Sequence, residues 1–194
     1  YDPGDAGRST CGYVGLVNPA CICYMNSLLQ SMYMVPALRA GLLAVEVRSG
    51  GVTGSRAESV LYQLQRIFGH LLLSRRKAFD PQGLCRAYRD FEGQPVDVFT
   101  QVDASEFLTQ FFDKLEGESP AARSLLQRTF GGSIASVVRC EKGHFSTRRE
   151  PYYFLSVDVD GKRSLSESLA QLVEADVLSG ESAYECERCG CKVD

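Results

Sequence analysis

Gly15-Leu16-Val17-Asn18-Pro19-Ala20-Cys21-Ile22-Cys23-Tyr24-Met25-Asn26-Ser27-Leu28-Leu29-Gln30 is a glycine- and proline-punctuated loop that ends on a cysteine. An apolar segment without breakers, Tyr24 to Val35, follows at once, and Pro36 interrupts it, so the segment reads as a helix. Cys23 then lies at a helix N-terminus, where unpaired backbone N–H groups and the helix dipole favour a thiolate. A thiolate so placed is a common form of an activated cysteine nucleophile. The plain alternative is a small buried cysteine that happens to start a helix.

A second stretch is Gln101-Val102-Asp103-Ala104-Ser105-Glu106-Phe107-Leu108, about eighty residues further on. Asp103 as N-cap and Glu106 at the third helical position open an amphipathic helix through Leu108, Phe111, Phe112 and Leu115. On the residues alone, both acids need do no more than cap this helix.

The first stretch resembles the cysteine box of the ubiquitin-specific proteases, Gly-Leu-x-Asn-x-Gly-x-Thr-Cys-Tyr-Met-Asn-Ser-x-Leu-Gln. Gly15, Leu16, Asn18, Cys23, Tyr24, Met25, Asn26, Ser27, Leu29 and Gln30 match in register. The resemblance makes Cys23 the nucleophile and Asn18 the side chain that stabilises the oxyanion, and it sets Cys21 at a variable position. Ala20 stands where the family has glycine, and Ile22 where it has threonine. A Cβ at position 20 would obstruct if that glycine adopts positive φ or admits a close backbone approach, and Ile22 adds bulk beside the nucleophile. The second stretch is similar to the family's Gln-Gln-Asp-Ala-x-Glu-Phe-Leu box, with Val102 in place of the second glutamine. There the resemblance implies that Gln101, Asp103 and Glu106 also face the basic, glycine-ended tail of ubiquitin. Two separate boxes in the expected order are far more specific than either alone.

The rest of the chain bounds the reading. Its 194 residues, 44% of them hydrophobic, suffice for one sizeable core or a pair of subdomains. A net charge of −3 carries no polyanion-binding signature, which argues against nucleic acid as a partner. No apolar run approaches the roughly 20 residues that span a bilayer, so no membrane partner is expected. The eight cysteines fall at close spacings (Cys21/Cys23, Cys186/Cys189/Cys191) that suit reactivity or metal better than a disulfide framework. A reducing cytoplasm or nucleus is the expected compartment.

Residues 1–12 read as a flexible leader. Ala37 to Val47 offers a second, shorter helix, and Ser49 to Gly54 a loop. Ser55-Arg56-Ala57-Glu58 is a capping-box signal for a helix bearing Val60, Leu61, Leu64, Ile67, Phe68, Leu71 and Leu72. A short helix is expected around Leu84 to Tyr88, between the breaks at Asp80-Pro81 and Gly93-Gln94-Pro95. From Phe130 the texture changes. Ser133 to Arg139 and Tyr152 to Val159 are rich in β-formers, and Leu155, Val157 and Val159 alternate with polar residues. Ser164-Leu165-Ser166-Glu167 is another capping box, for a helix to about Glu174. Arg75-Arg76-Lys77 and Arg148-Arg149-Glu150 read as solvated charge clusters, and Tyr152-Tyr153-Phe154 as strand packing. The expectation is an α+β chain: a helical part over 13–129 and a β-rich part over 130–194. The resemblance implies the papain-like fold of the family, with a helical thumb followed by the first part of the β fingers and an incomplete palm. Tyr33-Met34-x-Pro36 and the closing Ala183-Tyr184-x-Cys186-Glu187-x-Cys189 are most similar to the very large, fat-facets-like members.

Cys186-Glu187-Arg188-Cys189 has the spacing of half a zinc knuckle. Many of the family carry a matching Cys-x-x-Cys earlier, where this chain reads Cys140-Glu141-Lys142-Gly143-His144. Cys140, His144, Cys186 and Cys189 form a candidate ligand set for structural zinc, with Cys191 as a substitute; a decayed knuckle with spectator cysteines is the other reading. No organic cofactor is expected.

A cysteine peptidase also needs a base, usually a histidine. The chain has only His70, late in an amphipathic segment and read as a helix-surface or packing residue, and His144 beside the knuckle. The family's Gly-His-Tyr box has no counterpart here. The chain, without an initiator methionine, is expected to be the N-terminal part of a catalytic domain. The function expected from the resemblance is a deubiquitinating thiol hydrolase that cleaves at the C-terminal glycine of ubiquitin in ubiquitinated proteins, the 194 residues alone being inactive. The alternatives are a non-catalytic ubiquitin-binding or regulatory module, and an unrelated zinc-binding interaction domain.

Overall fold

A computed structural model describes Gly7 and residues 9–47, 55–90 and 92–193. The expected loop at Ser49 to Gly54 and most of the expected leader lie outside the described residues. The chain divides into two units, Tyr1–Thr129 and Phe130–Asp194.

In the first unit, α1 (Cys23–Tyr33) buries Tyr24, Met25, Leu29, Met32 and Tyr33 along one face. Pro36 ends that pattern and opens α2 (Pro36–Ala44), where its missing N–H is no loss. The last carbonyls of α2 are met by Gln65, whose Nε2 donates to Leu42 O and Val45 O, both at 2.7 Å. That cap is why α2 stops three residues short of the expected Val47. Gly41 sits where a Cβ would lie 2.6 Å from Leu125 Cδ1, so its lack of a side chain lets α2 approach α6 (Pro120–Phe130).

The capping box at Ser55 does not start the long helix. Ser55 accepts from Ala57 N and caps only a 3-10 turn, Arg56–Glu58. Ser59 is the true N-cap of α3 (Val60–Leu73), accepting from Tyr62 N at 3.0 Å. The helix buries Val60, Leu61, Leu64, Ile67, Phe68 and Leu71, while Leu72 stays exposed on its other side. It leads to β2 (Ala78–Phe79), which pairs in parallel with β1 (Gly15–Leu16) in the register Gly15↔Ala78, Leu16↔Phe79. A parallel pair needs a long crossover, and α1, α2 and α3 supply it. The short α4 (Gln82–Ala87) and the long α5 (Ala104–Glu118) complete the unit. Phe107, Phe111, Phe112 and Leu115 of α5 are buried; Leu108, expected in the core, is only half-buried. Each such aromatic contributes about 1.5–3 kcal/mol by leaving water.

In the second unit, β3 (Gly132–Arg139) and β4 (Phe145–Tyr152) form an antiparallel hairpin closed by residues 140–144. The expected strand Tyr152–Val159 is a correction: β4 precedes it, and residues 154–159 have no regular structure. Their alternation buries no face, since Leu155 and Val159 are exposed; among the described residues no strand pairs with them, and a strand exists only with its ladder partner. The real strand, Phe-Ser-Thr-Arg-Arg-Glu-Pro-Tyr, is exposed almost throughout and shows no alternation. Its Arg148 and Glu150 pair in the open at 2.8 Å, as a solvated cluster should. Tyr152 packs over Gly132, leaving no room there for a Cβ. Ser164 caps α7 (Leu165–Leu172), and the Glu167 carboxylate reaches back to Arg163 N at 2.7 Å. A second, short hairpin joins β5 (Tyr184–Cys186) to β6 (Cys191–Val193).

Candidate active site and candidate metal centre

Cys23 is the first residue of α1 and is exposed. The first α-helical bond runs from Asn26 N to Ile22 O at 3.0 Å, so the earlier N–H groups of the turn have no intrahelical acceptor. No acidic residue occupies the first turn to compete for them. An anion at the sulfur therefore meets free donors and the positive end of the dipole. Ile22, expected to crowd the nucleophile, is instead fully buried beneath the loop. Its extra carbons fill the core. No described non-glycine residue has positive φ, so Ala20 adopts an ordinary backbone conformation and the feared strain does not arise.

Asn18 faces the same turn, its Oδ1 accepting from Ile22 N at 3.2 Å. The oxygen is so engaged, and the residue is exposed. The loop is fixed on three sides. Gly15 N and Val17 N donate to Lys77 O (2.7 Å) and Phe79 O (2.9 Å) of the β2 segment. Cys21 N donates to Val98 O at 2.8 Å. Asn26 Nδ2 and Gln30 Nε2 of α1 donate to Val17 O (3.1 Å) and Val14 O (3.0 Å).

Asp103 is the N-cap of α5, its Oδ1 accepting from Ser105 N (2.8 Å) and Glu106 N (3.2 Å). The Ser105 hydroxyl, then the Glu106 and Ser105 N–H groups, hold its carboxyl below the usual carboxylate range. Glu106 does not close the box back onto Asp103. Its Oε1 accepts from Gln110 Nε2 at 3.1 Å, and Gln110 Oε1 accepts from the Tyr88 hydroxyl at 2.9 Å. The acid helix packs on the cysteine helix through Tyr24 and Phe107, whose rings meet edge-on at 5.3 Å. Beside this contact opens a cavity of about 350 Å³, walled by Tyr24, Tyr88, Asp97, Glu106, Phe107 and Gln110 among others. Burial, with Tyr24, Asp90, Glu106 and Asp113 around it, pushes the Tyr88 hydroxyl up to about 12, so it stays a donor. Gln101 and Asp103 lie outside this wall, both exposed. Tyr88, Asp97 and Gln110 were not foreseen; only Asp97-x-Phe99-Thr100, where Asp97 accepts from Phe99 N and the Thr100 hydroxyl, left a local turn signal.

His70 stacks on Phe79, with ring centroids 4.0 Å apart. Burial, then Arg66 and Arg76, holds it below the usual histidine range. It is exposed on the helix surface and packs one ring face on Phe79, which fits the helix-surface or packing residue the sequence suggested.

Within the second unit, Cys140, His144, Cys186 and Cys189 converge, each offering one donor atom within 4.8 Å of the others. His144 Nδ1 lies 3.4 Å from Cys189 Sγ and 3.7 Å from Cys186 Sγ. Tetrahedral zinc, with Zn–S of about 2.3 Å and Zn–N of about 2.0 Å, sets its ligand atoms roughly 3.5–3.8 Å apart. The donors fit that ion. Two tight turns present them: Gly143 N to Cys140 O (2.9 Å), with Gly143 at φ +81, and Gly190 N to Cys186 O (2.9 Å), with Gly190 at φ +68. The glycines supply the left-handed conformation each turn needs. Cys191, exposed on β6, is outside the cluster. Desolvation works to raise both thiols of the second knuckle, yet the N–H groups of Cys189 and Arg188 and the His144 ring hold Cys186 down at about 6. Desolvation and the sulfurs of Cys186 and Cys140 push Cys189 up to about 11. Three sulfurs and an imidazole nitrogen converging on one point make a donor set that a divalent cation would hold together.

No described helix is long and apolar enough to cross a membrane. The sequence profile of the ubiquitin carboxyl-terminal hydrolases matches residues 14–159. Ubiquitin carboxyl-terminal hydrolase puf of Drosophila melanogaster is 39% identical over 194 residues, covering 100% of this chain and 5% of its own length. Ubiquitin carboxyl-terminal hydrolase 34 of Homo sapiens is 31% identical over the same span, again 5% of its length. The probable ubiquitin carboxyl-terminal hydrolase FAF of Drosophila melanogaster is 31% identical over 240 aligned positions, 100% of this chain and 9% of that protein. The chain thus spans a small part of each of these relatives.

Proposed function

The chain belongs to the ubiquitin carboxyl-terminal hydrolase family, and from that premise we propose that it is the N-terminal part of the catalytic domain of a deubiquitinating cysteine peptidase. The observation that carries the reading is an exposed thiol on the first residue of α1 with the Asn18 amide tethered to the preceding residue. The Cys23 thiolate attacks the carbonyl carbon of the ubiquitin C-terminal glycine. The carbonyl electron pair moves to oxygen, and Asn18 Nδ2 donates to that oxyanion. Collapse forms the thioester and releases the amine of the conjugated protein, and water then frees ubiquitin. Gln101, Asp103 and Glu106 meet the basic tail, and the cavity beside Glu106 offers it a carboxylate against aromatic walls. Zinc held by Cys140, His144, Cys186 and Cys189 ties two hairpins together and takes no part in the chemistry.

The general base and acid come from outside these 194 residues, because His70 is stacked on Phe79 and His144 stands among three thiols. General acid–base help is worth about 10²–10⁴-fold, so the chain alone leaves turnover at a trace. The test is ubiquitin carrying a C-terminal electrophile, followed by intact mass. One adduct, absent in Cys23→Ala, supports the reading. Reversible binding without an adduct instead makes the chain a ubiquitin-binding module, and no binding overturns both. Cleavage of a fluorogenic ubiquitin amide that vanishes in Cys23→Ala would assign the base to His70 or His144.

A further inference from the structure

Two carboxamides of α1, Asn26 and Gln30, stand one helical turn apart on the same face and both donate to β1 and its flanks. Asn26 is three residues after Cys23, and it holds the carbonyl of Val17, the residue directly before Asn18. The far side of the same strand is held by backbone bonds to the β2 segment. Asn18 then returns to the helix through Ile22 N, and Ile22 O receives Asn26 N. The result is a closed ring: Asn26 side chain, Val17, Asn18, Ile22, Asn26 backbone. Cys23 leaves this ring one bond after Ile22.

Asn26 is also an awkward residue for its place. Its Oδ1 is buried and has no hydrogen-bond partner among the described residues. A leucine of similar size would fill the space without that orphan, so packing alone does not account for an amide here. What the amide adds is the single donor to Val17 O.

We infer that Asn26 is a positioning residue: through Val17 it fixes the Asn18 amide relative to the Cys23 sulfur, with Gln30 bracing the same strand one turn further on. This rests on Cys23 as nucleophile and Asn18 as oxyanion donor. Displacements near 1 Å in such a pair cost on the order of 10²-fold, so a tether of this kind has a measurable effect.

Two probes separate positioning from general integrity. Iodoacetamide alkylates Cys23 by displacing iodide and forms no oxyanion. Ubiquitin ending in an aldehyde adds reversibly: the sulfur pair bonds to carbon, the carbonyl pair moves to oxygen, and that oxygen lies where Asn18 donates. Residues 1–194 are compared as wild type, Asn18→Ala, Asn26→Leu, Asn26→Asp and the double variant Asn18→Ala/Asn26→Leu. Asn26→Asp keeps the shape while its ionised carboxylate donates nothing to Val17 O. Expected is a loss of aldehyde affinity of about tenfold in both Asn26 variants, with alkylation of Cys23 by peptide mapping changed less than about twofold. The double variant is expected to be no worse than Asn18→Ala alone, because the two residues act as one unit. Unchanged affinity in both Asn26 variants, full additivity in the double variant, or alkylation falling in parallel each overturns the inference. Wild type that fails to bind the aldehyde at all overturns the proposed function instead.

Discussion

Glu118, the last residue of α5, receives the hydroxyl of Ser59, the N-cap of α3, at 2.7 Å. The same carboxylate takes Val60 N (2.8 Å) and Leu61 N (3.0 Å), so one helix end caps another across the first unit. Glu118→Ala is expected to lower stability by about 1 kcal/mol, typical of a lost cap, and Glu118→Gln by less, since it keeps one acceptor. Urea denaturation of the three proteins measures this.

The candidate metal centre predicts one zinc per chain. Purified protein should hold it by elemental analysis and lose it to a strong chelator, with His144→Ala and Cys186→Ser binding far less and Cys191→Ser unaffected. Loss should unfold the 140–144 and 186–191 turns while the helical unit keeps its circular dichroism, because its core contains none of the ligands.

Cys23 is expected to alkylate ahead of Cys21, which is half-buried, and of Cys85, whose thiol burial pushes up. Its competitors are Cys191, exposed on β6 and outside the metal cluster, and Cys11, exposed and held down by the Ser9 hydroxyl 3.1 Å away. Small reagents should mark all three, by peptide mapping, whereas a ubiquitin electrophile should mark Cys23 alone.

Reversing Asp103 and Glu106 together should weaken ubiquitin binding, and more so at low than at high salt, because exposed charges are screened over about 10 Å at 0.1 M. Calorimetric titration at two ionic strengths checks this; equal affinities at low salt would leave the acids only their capping role.

His70 gives a pH dependence of known sign. Its folded-state value is lowered from 6.5, so its contribution is present above about pH 6.5 and is lost as pH falls through the lowered value. Thermal melts should show wild type losing more on going from neutral to mildly acid pH than His70→Phe, which cannot charge.

Local signals were legible. The helix after Cys23, the Asp103 cap and the Ser164 box each announce themselves within four residues; Cys186 and Cys189 came from their spacing, and Cys140 and His144 from the resemblance to the family's earlier Cys-x-x-Cys. Distant partners were not. Ser55 matched a capping pattern, yet Ser59 took the long helix because Glu118, nearly sixty positions away, completes that cap. Strand β4 was misplaced because an exposed hairpin carries no alternating face, and its register comes from the Cys140–His144 turn. The Asn26 and Gln30 bonds to the residues flanking β1 likewise join residues 9 and 16 positions apart; both side chains match the family's cysteine box, but the box does not say which carbonyls they hold.

The parallel pairing of Gly15–Leu16 with Ala78–Phe79 also orders events in time. A ladder of two residues closes a long stretch of chain for very little hydrogen bonding, so its closure is helped by α1, α2 and α3 packing first and bringing its ends together. The loop bearing Asn18 is therefore expected to order late in the folding of the unit. A chain emerging during synthesis carries Cys23 long before Ala78 and Phe79 arrive to fix the loop ahead of it, and partly folded molecules are expected to have that thiol beside an unordered loop.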